Sequence, residues 1–124
     1  MIVGLGIDIA EVKRLDNSIE RHGDRLLQRL FTPQEMAYCQ NYRYPAEHFA
    51  GKFAVKEAFM KAVTTGWGPV AFQDIEVLNR HTGAPYLCAH GKALEITQQL
   101  SVTQIHVSVS HSAGVAVGLV ILEQ

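Results

Sequence analysis

Apolar and polar positions alternate with different periods along this chain, and each change of period marks a predicted element. Residues 2–9, IVGLGIDI, are an almost unbroken β-rich apolar run ending on a carboxylate, the pattern of a buried strand that carries Asp8 to its C-terminal end. From Glu11 to Leu30 the spacing turns helical, with Val12, Leu15 and Ile19 followed by Leu26, Leu27 and Leu30. Gly23 is expected to divide this stretch into two short helices. Thr32-Pro33-Gln34-Glu35 has the form of a capping box with proline at the first helical position, which predicts a helix running to about Asn41. A long helix is expected to open at Tyr44-Pro45 and to close near Thr65-Gly66, with Gly68-Pro69 beyond it.

The second half reads mostly as strand. Phe72 to Leu78 is β-like around Ile75 and Val77, and the turn signal His81-Thr82-Gly83-Ala84-Pro85 leads into Tyr86-Leu87-Cys88, which predicts a hairpin. Gly91 to Leu100 suits a short amphipathic helix. Strict alternation in Ile105 to Ser110 then gives a strand, with His111-Ser112 opening a turn through Ala113 and Gly114 into a last strand over Val115 to Leu122. Strand, helices, hairpin, helix and hairpin together predict an α+β fold with a mainly antiparallel sheet packed against a long central helix.

Composition narrows the function classes. The 124 residues are 48% hydrophobic, enough for one core, so a single domain over 1–124 is expected. A formal charge of -1 supplies no global basic field for nucleic acid or an anionic membrane. No run approaches the roughly 20 apolar residues of a membrane span, and Met1 to Ile9 has no basic flank, so a cytoplasmic protein is expected. Cys39 and Cys88 lie far apart outside any CxxC spacing, and are expected to be reduced thiols rather than a disulfide or metal site.

Candidate chemistry comes from charge in the wrong place. At roughly 100° per residue, the long helix gathers Ala46, Ala50, Phe53, Ala54, Ala58 and Met60 on a broad apolar arc, and Glu57 and Lys61 fall inside it. The ordinary meaning of this spacing is a surface i,i+4 pair. A carboxylate and an ammonium among core positions instead suggest a ligand or a metal, whereas Lys52 and Lys56 lie off the arc and are expected to be solvated. Asp8 is open to two readings, a carboxylate favouring the start of the following helix or a site residue. Two carboxylates without a Cys-rich or His-rich neighbourhood suit a hard cation such as Mg2+, and an adjacent lysine suits phosphate.

Two further groups are weaker signals. His106, Ser108 and Ser110 share one strand face, either a solvated face with cross-strand hydroxyl pairs or, for the histidines at its edge, a phosphate-holding surface. A Ser-His nucleophilic pair lacks a third group or a nucleophile elbow. Arg14, Arg21 and Arg25 would lie near one stripe if the first helix continued past Gly23, a surface for an acidic partner or simply a solvated face.

Gly6-Ile7-Asp8-Ile9 with Arg14 downstream, Lys52-Phe53-Ala54-Val55-Lys56-Glu57-Ala58-Phe59-Met60-Lys61-Ala62, and Val107-Ser108-Val109-Ser110-His111-Ser112 together resemble the holo-acyl-carrier-protein synthase family in identity and order. Phe72-Gln73-Asp74-Ile75-Glu76-Val77 and Gly83-Ala84-Pro85-Tyr86 are similar to that family's linking hairpin, so the resemblance spans nearly the whole chain. It implies a 4'-phosphopantetheinyl transferase-like fold. It implies transfer of phosphopantetheine from coenzyme A to a serine of an acyl carrier protein, with release of 3',5'-ADP. Under it Asp8 and Glu57 bind Mg2+, Lys61 contacts phosphates, and the Ser110-His111 region, with His106 nearby, holds the nucleotide end. Glu57, a metal-bound water or His106 takes the serine proton. Arg14, with Arg21 and Arg25, receives the acidic carrier helix. The short members of the family imply a homotrimer with shared sites. Departures are confined to Thr64-Thr65-Gly66-Trp67-Gly68, where the family often has Gly-Thr-Gly, and to Val115 in place of an aromatic. The rival readings are a non-catalytic module that binds carrier protein or coenzyme A, and a magnesium-dependent phosphohydrolase.

Overall fold

The first strand, β1 (Ile2–Glu11), passes directly into α1 (Val12–His22) and α2 (Asp24–Leu30), as the expected break at Gly23 requires. Gly23 has φ 65° and ψ -148°, a conformation open to glycine and costly for other residues, and its N–H closes α1 on the Ile19 carbonyl at 2.7 Å. The protein is described by a computed structural model covering residues 1–64 and 67–124. Next, α3 (Pro33–Gln40) begins with the predicted capping box: Thr32 Oγ1 accepts from the Glu35 N–H, and Glu35 Oε1 accepts from the Thr32 N–H. The long helix α4 (Pro45–Ala62) is capped at Val63, and the expected closure near Thr65-Gly66 lies outside the described residues.

A 3-10 turn (Phe72–Asp74) replaces the start of the predicted strand; β2 (Ile75–Asn79) and β3 (Pro85–Ala89) then form the expected hairpin. After α5 (Gly91–Gln99), β4 (Gln104–Ser112) and β5 (Val115–Glu123) close the chain. His111 and Ser112 are therefore strand residues, not a turn. The turn is Ala113-Gly114 alone, with φ 52° and 78°, the two positive values that a twisted two-residue hairpin demands. Among the described residues the strands form two antiparallel sheets, a three-stranded one in the order β1-β5-β4 and the β2-β3 pair.

The sheet lies on one side of α4, while α3 and β2 cover another, so α4 is buried around most of its circumference. This overturns the one-sided arc expected from sequence. Lys52 and Lys56 are buried, whereas Phe53, Glu57 and Met60 are only half-buried and Lys61 is exposed. Val55, Phe59, Ile75, Val77, Ile96 and Leu122 form one part of the core, and Leu15, Leu27, Leu30, Phe31 and Phe49 another.

The reading of β1 as a buried strand also needs correction. It is an edge strand whose inner face meets α4, and Leu5, Ile7 and Ile9 on its outer face are 62, 56 and 64% exposed. Leu5 stands opposite Ile121, Ile7 opposite Leu119 and Ile9 opposite Val117, so the outer face of the sheet carries a continuous apolar band.

Candidate active site

Asp8 sits near the end of β1, on the face turned towards α4 and opposite Gly118 of β5. Lys61, in the last turn of α4, reaches down to it: Nζ donates to Asp8 Oδ1 at 2.9 Å and to the Ile7 carbonyl at 3.1 Å. The Lys61 side chain remains 58% exposed while that of Asp8 is 19% exposed, so the pair lies at the mouth of the site. Glu57, one helical turn before Lys61, adjoins them. Burial first, and the Asp8 charge second, raise its carboxyl above the ordinary range, with Lys61 acting in the opposite sense. The three residues singled out from sequence thus meet in space.

Their chemistry fits a hard dication. Two carboxylates close enough for one to raise the proton affinity of the other are under repulsion that a cation relieves, and the Lys61 ammonium already lies on Asp8. Among the described residues no group of three or more His, Cys, Asp or Glu gathers as a complete ligand set. Oxygen donors from only two side chains match Mg2+, which usually takes one or two carboxylates together with water and substrate phosphate.

The other candidates lie elsewhere in the chain. His106 and Ser110 are on the outer face of β4, where His106 Nε2 pairs with Glu123 Oε1 at 2.9 Å. His111 is on the opposite face, with Nδ1 3.8 Å from Glu47 Oε2 in the first turn of α4. An 18-residue helix spans about 27 Å, so the His111 and Lys61 ends are far apart within one chain. Arg14 and Arg21 line a shallow cleft on α1 with Lys13 and Ser18, but the break at Gly23 puts Arg25 on a separate helix.

Sequence reasoning missed Lys52. It is buried, donates from Nζ to the Val77 carbonyl and Asn79 Oδ1 at 2.6 Å each, and lies 4.6 Å from the Tyr38 ring centre. It lines a cavity of about 190 Å³ with Tyr38, His48, Asn79, Pro85 and His111. Burial lowers the proton affinity of both Lys52 and His48, to which the neighbouring His111 adds for His48. The motif that contains Lys52 was visible, but its inward orientation was not.

Known proteins resemble the chain over its whole length. The family profile described as ACPS, 4'-phosphopantetheinyl transferase superfamily, matches residues 4–120. A holo-[acyl-carrier-protein] synthase of Solibacter usitatus (strain Ellin6076) is 47% identical over 124 residues, covering 99% of each chain. The crystal structure of the Neisseria meningitidis holo-[acyl-carrier-protein] synthase superposes with a TM-score of 0.89 at 28% identity, with full coverage of both chains. The Helicobacter pylori synthase in complex with coenzyme A superposes at 0.83 and 29% identity, covering 96% of this chain and 99% of that one.

Proposed function

Because the chain belongs to the 4'-phosphopantetheinyl transferase superfamily, we propose that Asp8, Glu57 and Lys61 carry out its reaction as one site within a single catalytic domain over 1–124. The protein is a transferase that moves phosphopantetheine from coenzyme A to a serine of apo acyl carrier protein, releasing 3',5'-ADP. The observation that carries the assignment to these residues is Lys61 on Asp8 at 2.9 Å with Glu57 alongside.

Asp8 and Glu57 would hold Mg2+, which when bound supplies positive charge to the pyrophosphate. Lys61, with its ammonium exposed at the mouth of the site, binds and orients phosphate oxygens. The carrier serine oxygen forms a bond to the β-phosphorus as the bond to the departing 3',5'-ADP breaks. Within this chain, Glu57 is the proton acceptor, beside Asp8 and Lys61 at the mouth of the site. His106 is turned towards Glu123 on the outer face of the sheet. Intact mass of an apo carrier protein after incubation with this protein, coenzyme A and Mg2+ tests the reaction, with EDTA in the control. A metal-dependent gain of one phosphopantetheine is expected; an unmodified, verified apo carrier sinks the reading.

We further propose a homotrimer whose sites are shared between chains. The apolar band of Leu5, Ile7, Ile9, Val117 and Leu119 supports an interface between copies, on the same sheet face as His106 and Ser110. A shared site would also reconcile the separation of Lys61 from the cavity lined by Lys52, Ser110's neighbour His111 and His48, which suits the nucleotide end of coenzyme A. Co-refolding Glu57→Gln chains with His111→Ala chains should restore transfer that neither variant has alone. Restoration absent from mixed trimers, or a parent that sediments at one chain mass, argues against sharing.

Arg14 and Arg21 offer the carrier a basic surface beside the site, with Arg25 an outlying contribution. Arg14→Glu should slow carrier association steeply at low salt and much less at high salt; association rates equal to the parent at every ionic strength remove this surface from the account. The free thiols of Cys39 and Cys88 support a reducing, cytoplasmic setting, which cell fractionation would contradict by recovering the protein outside the cytosol.

A further inference from the structure

The sheet face beneath α4 carries glycine at the places where the helix comes closest. Gly4 and Gly6 of β1 and Gly118 of β5 lie under α4, whose Ala54, Ala58 and Ala62 recur at every fourth residue along the contact. A Cβ at Gly6 would stand 1.8 Å from the Ala58 carbonyl oxygen, and one at Gly4 2.2 Å from the Ala62 carbonyl oxygen. At Gly118 it would lie 2.5 Å from the Val55 nitrogen. Each obstacle is helix backbone, so no change of rotamer can relieve it; the helix itself has to rise. Glycine weakens a strand and contributes no buried side chain, so these positions are costly unless the close approach matters.

We propose that Gly6, supported by Gly4 and Gly118, is a positioning residue of the transfer reaction, fixing the height of α4 above β1 and so the spacing of Asp8 from Glu57 and Lys61. The inference rests on the roles proposed above for those three residues. Ala58, directly over Gly6, is the neighbour of Glu57 and lies three residues before Lys61, while Asp8 is the next residue of β1 on the same face as Gly6. Lys61 spans the gap to two acceptors at once, at 2.9 and 3.1 Å, and a rise of the helix lengthens both. Phosphoryl transfer depends on positioning and electrostatics, and a misplacement of about 1 Å can cost roughly 100-fold.

Gly6→Ala should therefore lower kcat by on the order of 100-fold, with KM for the apo carrier little changed. Calorimetry with MgCl2 alone should show binding weakened roughly tenfold, and a crystal structure should show Lys61 Nζ drawn away from Asp8. Ile96→Ala, a core variant on α5 away from the site, supplies a control of at least equal loss in Tm and should keep the parental kcat and Mg2+ affinity. A folded Gly6→Ala protein with parental kcat and Mg2+ affinity overturns the proposal, as does the same loss in Ile96→Ala. If Gly6→Ala does not fold, Gly4→Ala carries the test at the end of α4 that bears Lys61, with the same expected pattern and the same overturning result. A parent that never modifies a carrier, combined with weakened Mg2+ binding and a displaced Lys61 in the variant, would reject the catalytic assignment and leave the positioning intact.

Discussion

Glu57→Gln is expected to lower phosphopantetheine transfer by on the order of 10³-fold without unfolding the protein. Glutamine keeps the size of the side chain and removes its charge, its strength as a metal ligand and its capacity to take a proton. The carboxylate is not a stabilising group where it stands. Burial and the Asp8 charge raise it above its ordinary 4.5, which means that the folded chain holds this proton more tightly than the unfolded chain. A carboxyl raised in the fold favours folding fully at low pH, and that contribution is lost as pH rises from 4.5 through the higher folded value. Glutamine, neutral throughout, escapes the loss. In the absence of Mg2+, the variant should melt no lower than the parent at neutral pH, with a relative advantage that shrinks as pH falls towards 4.5. Steady-state transfer and melting curves at several pH values check both halves; near-normal turnover would remove Glu57 from the mechanism.

Asp8, Glu57 and Lys61 were legible as candidates from Asp8 at the end of an apolar strand and from the i,i+4 spacing of Glu57 and Lys61, and the fold brings them together across β1 and α4, although Lys61 lies at the surface and not among core positions. The break at Gly23 and the capping box of α3 were equally readable, since both are set by local backbone chemistry. What failed were inferences about which side of an element is covered. A helical arc predicts burial when one face meets a core, but α4 is enclosed by the sheet and by α3 with β2, so Lys52 and Lys56, which lie off the arc, are inside and not in solvent. The β1 run reads as buried on both faces because it is apolar on both; in one chain only the α4 side is covered. The sequence pattern ends β4 two residues early because Ser112-Ala113-Gly114 resembles a longer turn, while the backbone reverses in Ala113-Gly114 alone.

Lys56→Met should produce the opposite result from its neighbour Glu57, a large loss of stability with transfer by the folded fraction little affected. Lys56 is fully buried and its ammonium uses all three donors, to Glu35 Oε1, the Phe72 carbonyl and the Ile75 carbonyl, each at 2.8 Å. Glu35, also fully buried, accepts from the Thr32 and Val77 N–H groups, so this pair ties the start of α3 to α4 and β2. Methionine fills a similar volume but leaves the Glu35 carboxylate without its cation and two carbonyls without their donor. Removing one partner of such a pair costs about 3–5 kcal/mol, which in a domain of this size lowers Tm by roughly 10–20 °C. Adding Glu35→Gln should recover part of that loss, because the amide removes the buried charge and can still accept from a backbone N–H; the double variant should then lie well above the sum of the single changes. Thermal unfolding of the four proteins in the cycle measures this coupling. A single variant within about 2 °C of the parent would mean that the buried pair adds no net stability and that packing alone fixes α4 against α3 and β2.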